Sequence, residues 1–345
     1  MQSKGYGIHI AMPVAILFMV LLIASCQKNE QTAPQNNEDN EKTITATTNP
    51  PVSSTQTAAG TISYNNKSNI TITGLSINCN NKSLVGIQLQ NCNNVHITNC
   101  KVYNSLLQGI KLYNCTNVTI DYCFVTNVQA GVYVQQSKTI KVNNNQFLNM
   151  NGPFPSGNFV QFDNVSGGGN QINTNKCEDI AGVAKHPQDG LSVYKSNGLQ
   201  GDSIQVIGNW IRGGQVLNDS GGAAGIVLAD VGGSYQVARN NILVNPGYIG
   251  IQPQGGTHIK IDHNTIYSSS TPMGLVGLSG GNYSGTTSSD VTVSYNKVKF
   301  INAKGNEFDA WWNTASMPLP QGWNTNILEA DITSSVLPVK IITMQ

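Results

Sequence analysis

The densest group of side chains able to do chemistry runs Lys185-His186-Pro187-Gln188-Asp189-Gly190 and continues to Tyr194 and Lys195. Asp163 precedes it and Asp230 follows. Two reactions suit these types. In β-elimination a base (Lys195, His186 or Tyr194) takes the proton beside a uronate carboxylate. A cation such as Ca²⁺, held by Asp163, Asp189 or Asp230, would neutralise that carboxylate. In glycoside hydrolysis two of the aspartates act as acid and base, and their separation sets the stereochemistry. The candidate catalytic residues are therefore Lys195, His186, Tyr194, Asp189 and Asp230. The structural alternative is that His186 and Asp189 only fix an insertion by hydrogen bonds.

Groups this far apart in sequence meet only if the chain returns to the same place at intervals, and the sequence repeats. An apolar residue at position 0 is followed by inward residues at positions 2, 5 and 7. Ile70, Ile72, Leu75 and Ile77 form the first copy, and Val95, Ile97, Cys100 and Val102 the second. Later copies include Ile140, Val142, Asn145, Phe147 and Tyr235, Val237, Asn240, Ile242, making nine in all, spaced 22 to 34 residues apart. A second element follows each, usually opened by glycine, as in Gly86-Ile87-Gln88-Leu89, Gly109-Ile110-Lys111-Leu112, Gly250-Ile251-Gln252-Pro253 and Gly274-Leu275-Val276. Both pieces alternate with period two, so each is a short strand with one face inward. Like stacked on like describes an all-β solenoid, a single-stranded right-handed parallel β-helix of about nine coils. At about 4.8 Å per paired strand it makes a rod ~43 Å long. It spans residues 58–326 as one elongated domain.

Position 5 is Asn at 145, 175, 209, 240, 264 and 296. Stacked, these amides bond from coil to coil, a structural role. On the glycine-led strands the outward side chains include Tyr113, Tyr133, Gln135, Gln161, Asp163, Gln252 and Gln254, the candidate substrate-binding residues. Amides and phenols suit a glycan, whose hydroxyls need donors and acceptors and whose ring faces stack on aromatics. Insertions at 149–158, 181–189 and 213–224 would wall one side of a groove along this sheet.

The repeat resembles the right-handed parallel β-helix superfamily of pectate lyases and related polysaccharide-processing proteins, over roughly residues 58–326. The resemblance implies the fold and an acidic polysaccharide partner, with lyase chemistry ahead of hydrolysis or epimerisation. A non-catalytic glycan-binding or adhesive surface protein is the alternative. The Asn-Thr-Asp, Gly-His-Gly and Arg-Ile-Lys motifs of polygalacturonases are missing. Ile261-Asp262-His263-Asn264 echoes a pectate lyase stretch, but Asn264 is a ladder residue. The two arginines, Arg212 and Arg239, both lie off the glycine-led strands.

Charged residues are only 11% of the chain, with net charge +1 and 43 Asn and 35 Gly. That excludes a nucleic-acid binder working by bulk charge and points away from helices. At the N-terminus Lys4 precedes an apolar run over 8–24 that ends in Ile23-Ala24-Ser25-Cys26. This fits a secretory signal over 1–25. It resembles a bacterial lipobox, with Cys26 the lipid-bearing residue. By the same resemblance Gln27 implies the outer membrane. Residues 26–57, with almost no apolar side chains, read as a flexible tether for a monomeric, membrane-anchored domain. Six further cysteines fall partly in stacked positions, where they serve as buried apolar fill or as disulfides. None has metal-ligand spacing, and no metal site is expected from them. Trp311, Trp312 and Trp323 read as a plug for the open end, and 327–345 as a terminal cap.

Overall fold

The computed structural model describes residues 56–153, 157–183, 188–214 and 224–344. Cys26, the leader 1–25, tether residues 26–55 and His186 lie outside them. The chain forms three columns of parallel strands. The first starts with Ser68–Thr73, Asn93–Thr98 and Thr116–Asp121, the second with Leu75–Lys82, and the third, glycine-led, with Ile62–Asn65 and Ile87–Gln90. Every strand-to-strand ladder is parallel, and each strand pairs with its counterpart one coil away. Alternation does this work: Ile97, Val102, Ile110, Leu112 and Ile120 point inward and are fully buried, while the residues between them face out. A short strand pair, Thr57–Ala59 and Ile62–Asn65, precedes the first complete coil.

The Asn ladder runs through 145, 175, 209, 241, 264, 296 and 326. Asn209 is representative. Its Oδ1 takes the Asn175 N–H at 2.9 Å and the Asn175 Nδ2 at 3.0 Å. Its Nδ2 donates to Ile172 O at 2.8 Å and to Asn241 Oδ1 at 2.9 Å. The expected rung at Asn240 is thus corrected to Asn241. Asn240 is an exposed turn residue at φ 54°. The phase slips because Gln236 and Ala238, not Tyr235 and Val237, face inward. Gln236 tolerates complete burial because its Nε2 donates to Ser196 O and its Oε1 accepts the Ala229 N–H, both at 2.8 Å. A second correction concerns the ninth coil. Gly277, not Gly274, stacks on Gly250, where an added Cβ at position 250 would sit 2.3 Å from Gly277 O.

The C-terminal segment also departs from expectation. Gln321 and Ile327 bridge to Thr292 and Lys297, and Asn326 continues the ladder, so a partial tenth coil closes the end. Trp312 is buried there, its ring 5.3 Å from that of Trp323. Residues beyond this coil do not lie over the end. They run back along the flank of the second column, where Leu337, Ile341, Ile342 and Met344 cover Phe124, Leu148, Trp210, Ile242 and Tyr267. Gln146 Oε1 takes the N–H groups of Thr343 and Met344 at 2.7 and 3.0 Å. The Arg212 guanidinium donates to Pro338 O and Val339 O.

Candidate active-site groove

Two outward columns line the glycine-led sheet. One carries Gln88, Lys111, Tyr133, Gln161, Ser192, Val227 and Gln252; the other carries Gln90, Tyr113, Gln135, Asp163, Tyr194 and Asp230. The register brings three of the expected residues together. Asp163 pairs with Tyr194, and Tyr194 pairs with Asp230. Two strand spacings separate the two aspartates, about 9.6 Å between Cα atoms. Tyr194 lies between them.

Asp163 is held from three sides. Tyr133 Oη donates to its Oδ2, as does Gln135 Nε2 at 3.0 Å, and Asn164 Nδ2 donates to Oδ1 at 2.6 Å. Burial first, then the hydrogen bond to Asp163, pushes the Tyr133 phenol well above its usual range. Tyr133 therefore positions Asp163 and is a poor base. Burial also pushes Asp230 up to about 6, while the Ser192 hydroxyl and the Lys195 ammonium pull it the other way. Asp189 rises to about 7, mainly by burial and partly from the charge of Asp230; the Ala224 N–H on its Oδ1, at 2.9 Å, opposes the rise. Asp189 aligns with Ala224 at the entry to the strand, five residues before Tyr194.

Lys195 follows Tyr194 at φ 48°. The equivalent corner in earlier coils holds Asn66, Asn91, Asn114, Gln136 and Asn164, all left-handed. Asn accepts that conformation readily, and lysine is an unusual occupant. The corner turns the Lys195 ammonium over the Tyr194 ring, 4.9 Å from its centroid. The Tyr194 hydroxyl contact raises the lysine above its ordinary value and keeps it charged. On the other side, the Ala229-Asp230-Val231 bulge holds Ala229 at φ 49° and Val231 at φ 53°, the latter a severe conformation for a β-branched residue. Strained backbone thus flanks both Lys195 and Asp230. The lysine in an asparagine corner was visible in the sequence and was missed there.

Other expected residues separate. Tyr113 is exposed and Gln135 and Gln161 are half-buried on the open part of the groove. Gln252 is buried, as are its column neighbours Ser192 and Val227, so this column is covered from the fifth coil onward while Tyr194 and Asp230 of the other column stay half-exposed, and Gln252 is withdrawn as a surface contact. Gln254 leaves the strand, and its carbonyl takes the Thr286 hydroxyl at 2.8 Å. The Asp262-His263 echo is structural: Arg239 Nε bonds both Asp262 oxygens at 2.9 and 3.0 Å, and His263 Nδ1 lies 3.1 Å from Oδ2. His96, His258 and His263 all lie on the first column, away from the groove. Sequence reading passed over Asp179, a buried carboxyl whose Oδ1 takes the Met150 N–H at 2.7 Å and which burial pushes up to about 8.

The residues named for Ca²⁺ do not fit it. Asp163 already takes three donors, which leaves room for about one more, and one oxygen of Asp189 takes an amide, too few open positions for Ca²⁺ with its six to eight oxygen ligands. No group of three or more His, Cys, Asp or Glu side chains arranged to hold a metal occurs among the described residues.

Residues 38–177 match the family described as "Right handed beta helix region". The match covers less than half of the chain and agrees with the parallel three-column architecture, so the fold is a right-handed parallel β-helix. No curated protein matches the sequence. Among solved structures, the catalytic domain of a GH87 alpha-1,3-glucanase in complex with tetrasaccharides is 15% identical with TM-score 0.42, covering 74% of this chain and 54% of that one. The same type of domain in complex with nigerose is 13% identical with TM-score 0.43, covering 76% and 50%. A mannuronic acid specific polysaccharide family 6 lyase from human gut microbiota is 9% identical with TM-score 0.34, covering 79% of each. The chain thus spans about half the length of the glucanase domains. Similarity at this level carries no argument about reaction or substrate.

Proposed function

We propose that the glycine-led groove binds a polysaccharide and hydrolyses a glycosidic bond between Asp163 and Asp230. Asp230 is the general acid, Asp163 the carboxylate that orients and deprotonates water, and Tyr194 the ring against which a sugar stacks. The observation that carries this is the register Asp163–Tyr194–Asp230, with burial holding a proton on Asp230 up to about pH 6. Inverting glycosidases separate their carboxyls by about 6.5–9.5 Å to admit a water; retaining ones by about 5–5.5 Å. Two coils between their Cα atoms give this pair more room than a retaining pair uses, which favours inversion. Two carboxyls, Asp163 and Asp230, act on one ammonium and leave the site acidic once both are ionised, so a neutral glycan suits the cleavage site better than the acidic one expected from sequence.

β-Elimination is the second reading, favoured by the Lys195–Tyr194 contact. The raised pKa of Lys195 works against it as a base. The same proposal has the chain exported, lipidated at Cys26 and held at the outer membrane. The order of Lys4, the apolar run and Cys26 supports it.

The full chain, incubated with panels of neutral and uronate polysaccharides, is read for new reducing ends, for absorbance at 235 nm and for binding. New reducing ends of inverted anomeric form, reduced by about 10²–10⁴ in Asp230→Asn and Asp163→Asn, are expected. A rise at 235 nm would establish the lyase instead. Binding without product on any glycan would make the groove a recognition surface.

A further inference from the structure

Four of the six described cysteines stand in two stacked pairs in the second and third coils, Cys92 over Cys115 and Cys100 over Cys123. Thr116 N donates to Cys92 O at 2.9 Å and Phe124 N to Cys100 O at 2.8 Å. The adjoining registers Asn93 to Thr116 and Lys101 to Phe124 are in step. Each pair is therefore one strand spacing apart, about 4.8 Å between Cα atoms, inside the 4.4–6.8 Å that a disulfide spans. All four side chains are buried at 1% exposure or less and stand as free thiols in this structure. Cys79 and Cys177 lack a stacked cysteine: Cys79 lies beside Ser105, and Cys177 stacks between Phe147 and Ile211.

The columns show why cysteine rather than another residue occupies these places. Cys123 Sγ donates to Asp121 O at 3.3 Å, and Cys115 Sγ to Tyr113 O at 3.4 Å. In the next coil Asn145 Nδ2 donates to Asn143 O, and Ser137 Oγ to Gln135 O. An amide or a hydroxyl meets the hydrogen-bonding need of either column. Among the described residues, these two columns hold cysteine only where two of them adjoin. The same coils lie below the start of the Asn ladder, where Leu75, Cys100 and Cys123 occupy its position.

We propose that Cys92–Cys115 and Cys100–Cys123 are sites of disulfide formation, two staples that bind the second coil to the third. The co-reactant is an oxidised dithiol or glutathione disulfide. One cysteine thiolate attacks its S–S bond and expels one thiolate, giving a mixed disulfide. The stacked partner then attacks that bond and releases the second thiolate. One S–S bond forms and one breaks; the two cysteines are oxidised, and their two electrons and two protons end on the released thiols. Burial excludes the oxidant from the finished fold, so the exchange belongs to folding, before the third coil docks on the second.

The test unfolds the full chain with reductant and refolds it in a mixture of reduced and oxidised glutathione. After acid quench and unfolding without reductant, free thiols are alkylated and the peptides mapped. The expected result is two linked pairs, 92 with 115 and 100 with 123, with Cys79 and Cys177 alkylated. Alkylation of all four stacked cysteines, or links between the two columns, overturns the proposal. Cys123→Asn supplies the amide that later coils use and so keeps the fold. It should free Cys100 while leaving the Cys92–Cys115 link, and its failure to do so counts against the assignment. Oxidised protein should melt at a higher temperature than the same protein refolded with reductant; coincident midpoints would refute the staple.

Discussion

Asn209 is an interior rung of the amide ladder, and replacing it with alanine tests whether that ladder holds the coils together. The side chain makes four bonds at 2.8–3.0 Å, two given and two taken. Alanine orphans one buried backbone donor outright, the Asn175 N–H, and takes one donor from the Ile172 carbonyl, which also sits in the strand ladder. An orphan costs about 1–3 kcal/mol and a lost bond about 1, so the loss should be about 3 kcal/mol. That is a large fraction of a typical ~5–15 kcal/mol total. Asn209→Asp sharpens the test, because a carboxylate still accepts from Asn175 but faces the Ile172 and Asn241 oxygens without a proton to offer. It should be at least as damaging at pH 7 and should recover part of the loss below about pH 4, near the ordinary carboxyl range. Urea unfolding of the three proteins, followed by tryptophan fluorescence at pH 4 and pH 7, gives the midpoints. A cost below ~1 kcal/mol for alanine, or an aspartate variant as stable as the parent at neutral pH, would refute the claim that donors and acceptors in the ladder carry the stacking.

Asp179→Asn should stabilise the protein at alkaline pH. With its carboxyl raised from 3.8 to about 8, the folded state holds this proton more tightly than the unfolded chain. Its contribution to stability is therefore whole below about pH 4 and lost as pH rises to 8. At about 1.4 kcal/mol per pH unit the penalty is at most ~6 kcal/mol. A variant no more stable than the parent at pH 8.5 would contradict this. Gly131→Ala places a Cβ 2.4 Å from Phe159 O and 2.7 Å from the Phe147 ring, and a thermal scan should show a cost of about 3 kcal/mol. For Asp230 as acid, hydrolysis should fall as pH rises through about 6, and a rate that climbs across that range would exclude the assignment. Arg212→Ala removes the donors to Pro338 and Val339, and limited proteolysis should cut the C-terminal segment faster than in the parent.

The fold was largely legible because burial in a parallel solenoid writes itself as period two, and stacking writes itself as a fixed position of like residues. Where both signals weakened, the reading slipped. Gln236 and Ala238 are less apolar than Val237 and Ile242, so hydrophobicity pointed to the wrong face; the deciding facts were two amide hydrogen bonds to distant residues. The juxtaposition of Asp163, Tyr194 and Asp230 followed from coil counting, since register converts sequence offset into position. Protonation was not legible in that way. The behaviour of Asp179, Asp189 and Asp230 depends on how far neighbouring loops exclude water, which no spacing encodes. Nor did the pattern reveal that Gln252 is covered, because an outward residue on a strand is exposed only if nothing folds over it.

The segment that returns along the flank joins residues far apart on the chain: Gln146 bonds Thr343 across 197 positions. A solenoid of neighbour contacts can assemble coil by coil as it leaves the ribosome. This one cannot finish that way. The apolar strip of Phe124, Leu148, Trp210 and Ile242 stays open until residues 337–344 are made. A nascent chain thus carries a sticky seam until then, and needs either speed or an escort to reach its final form unaggregated.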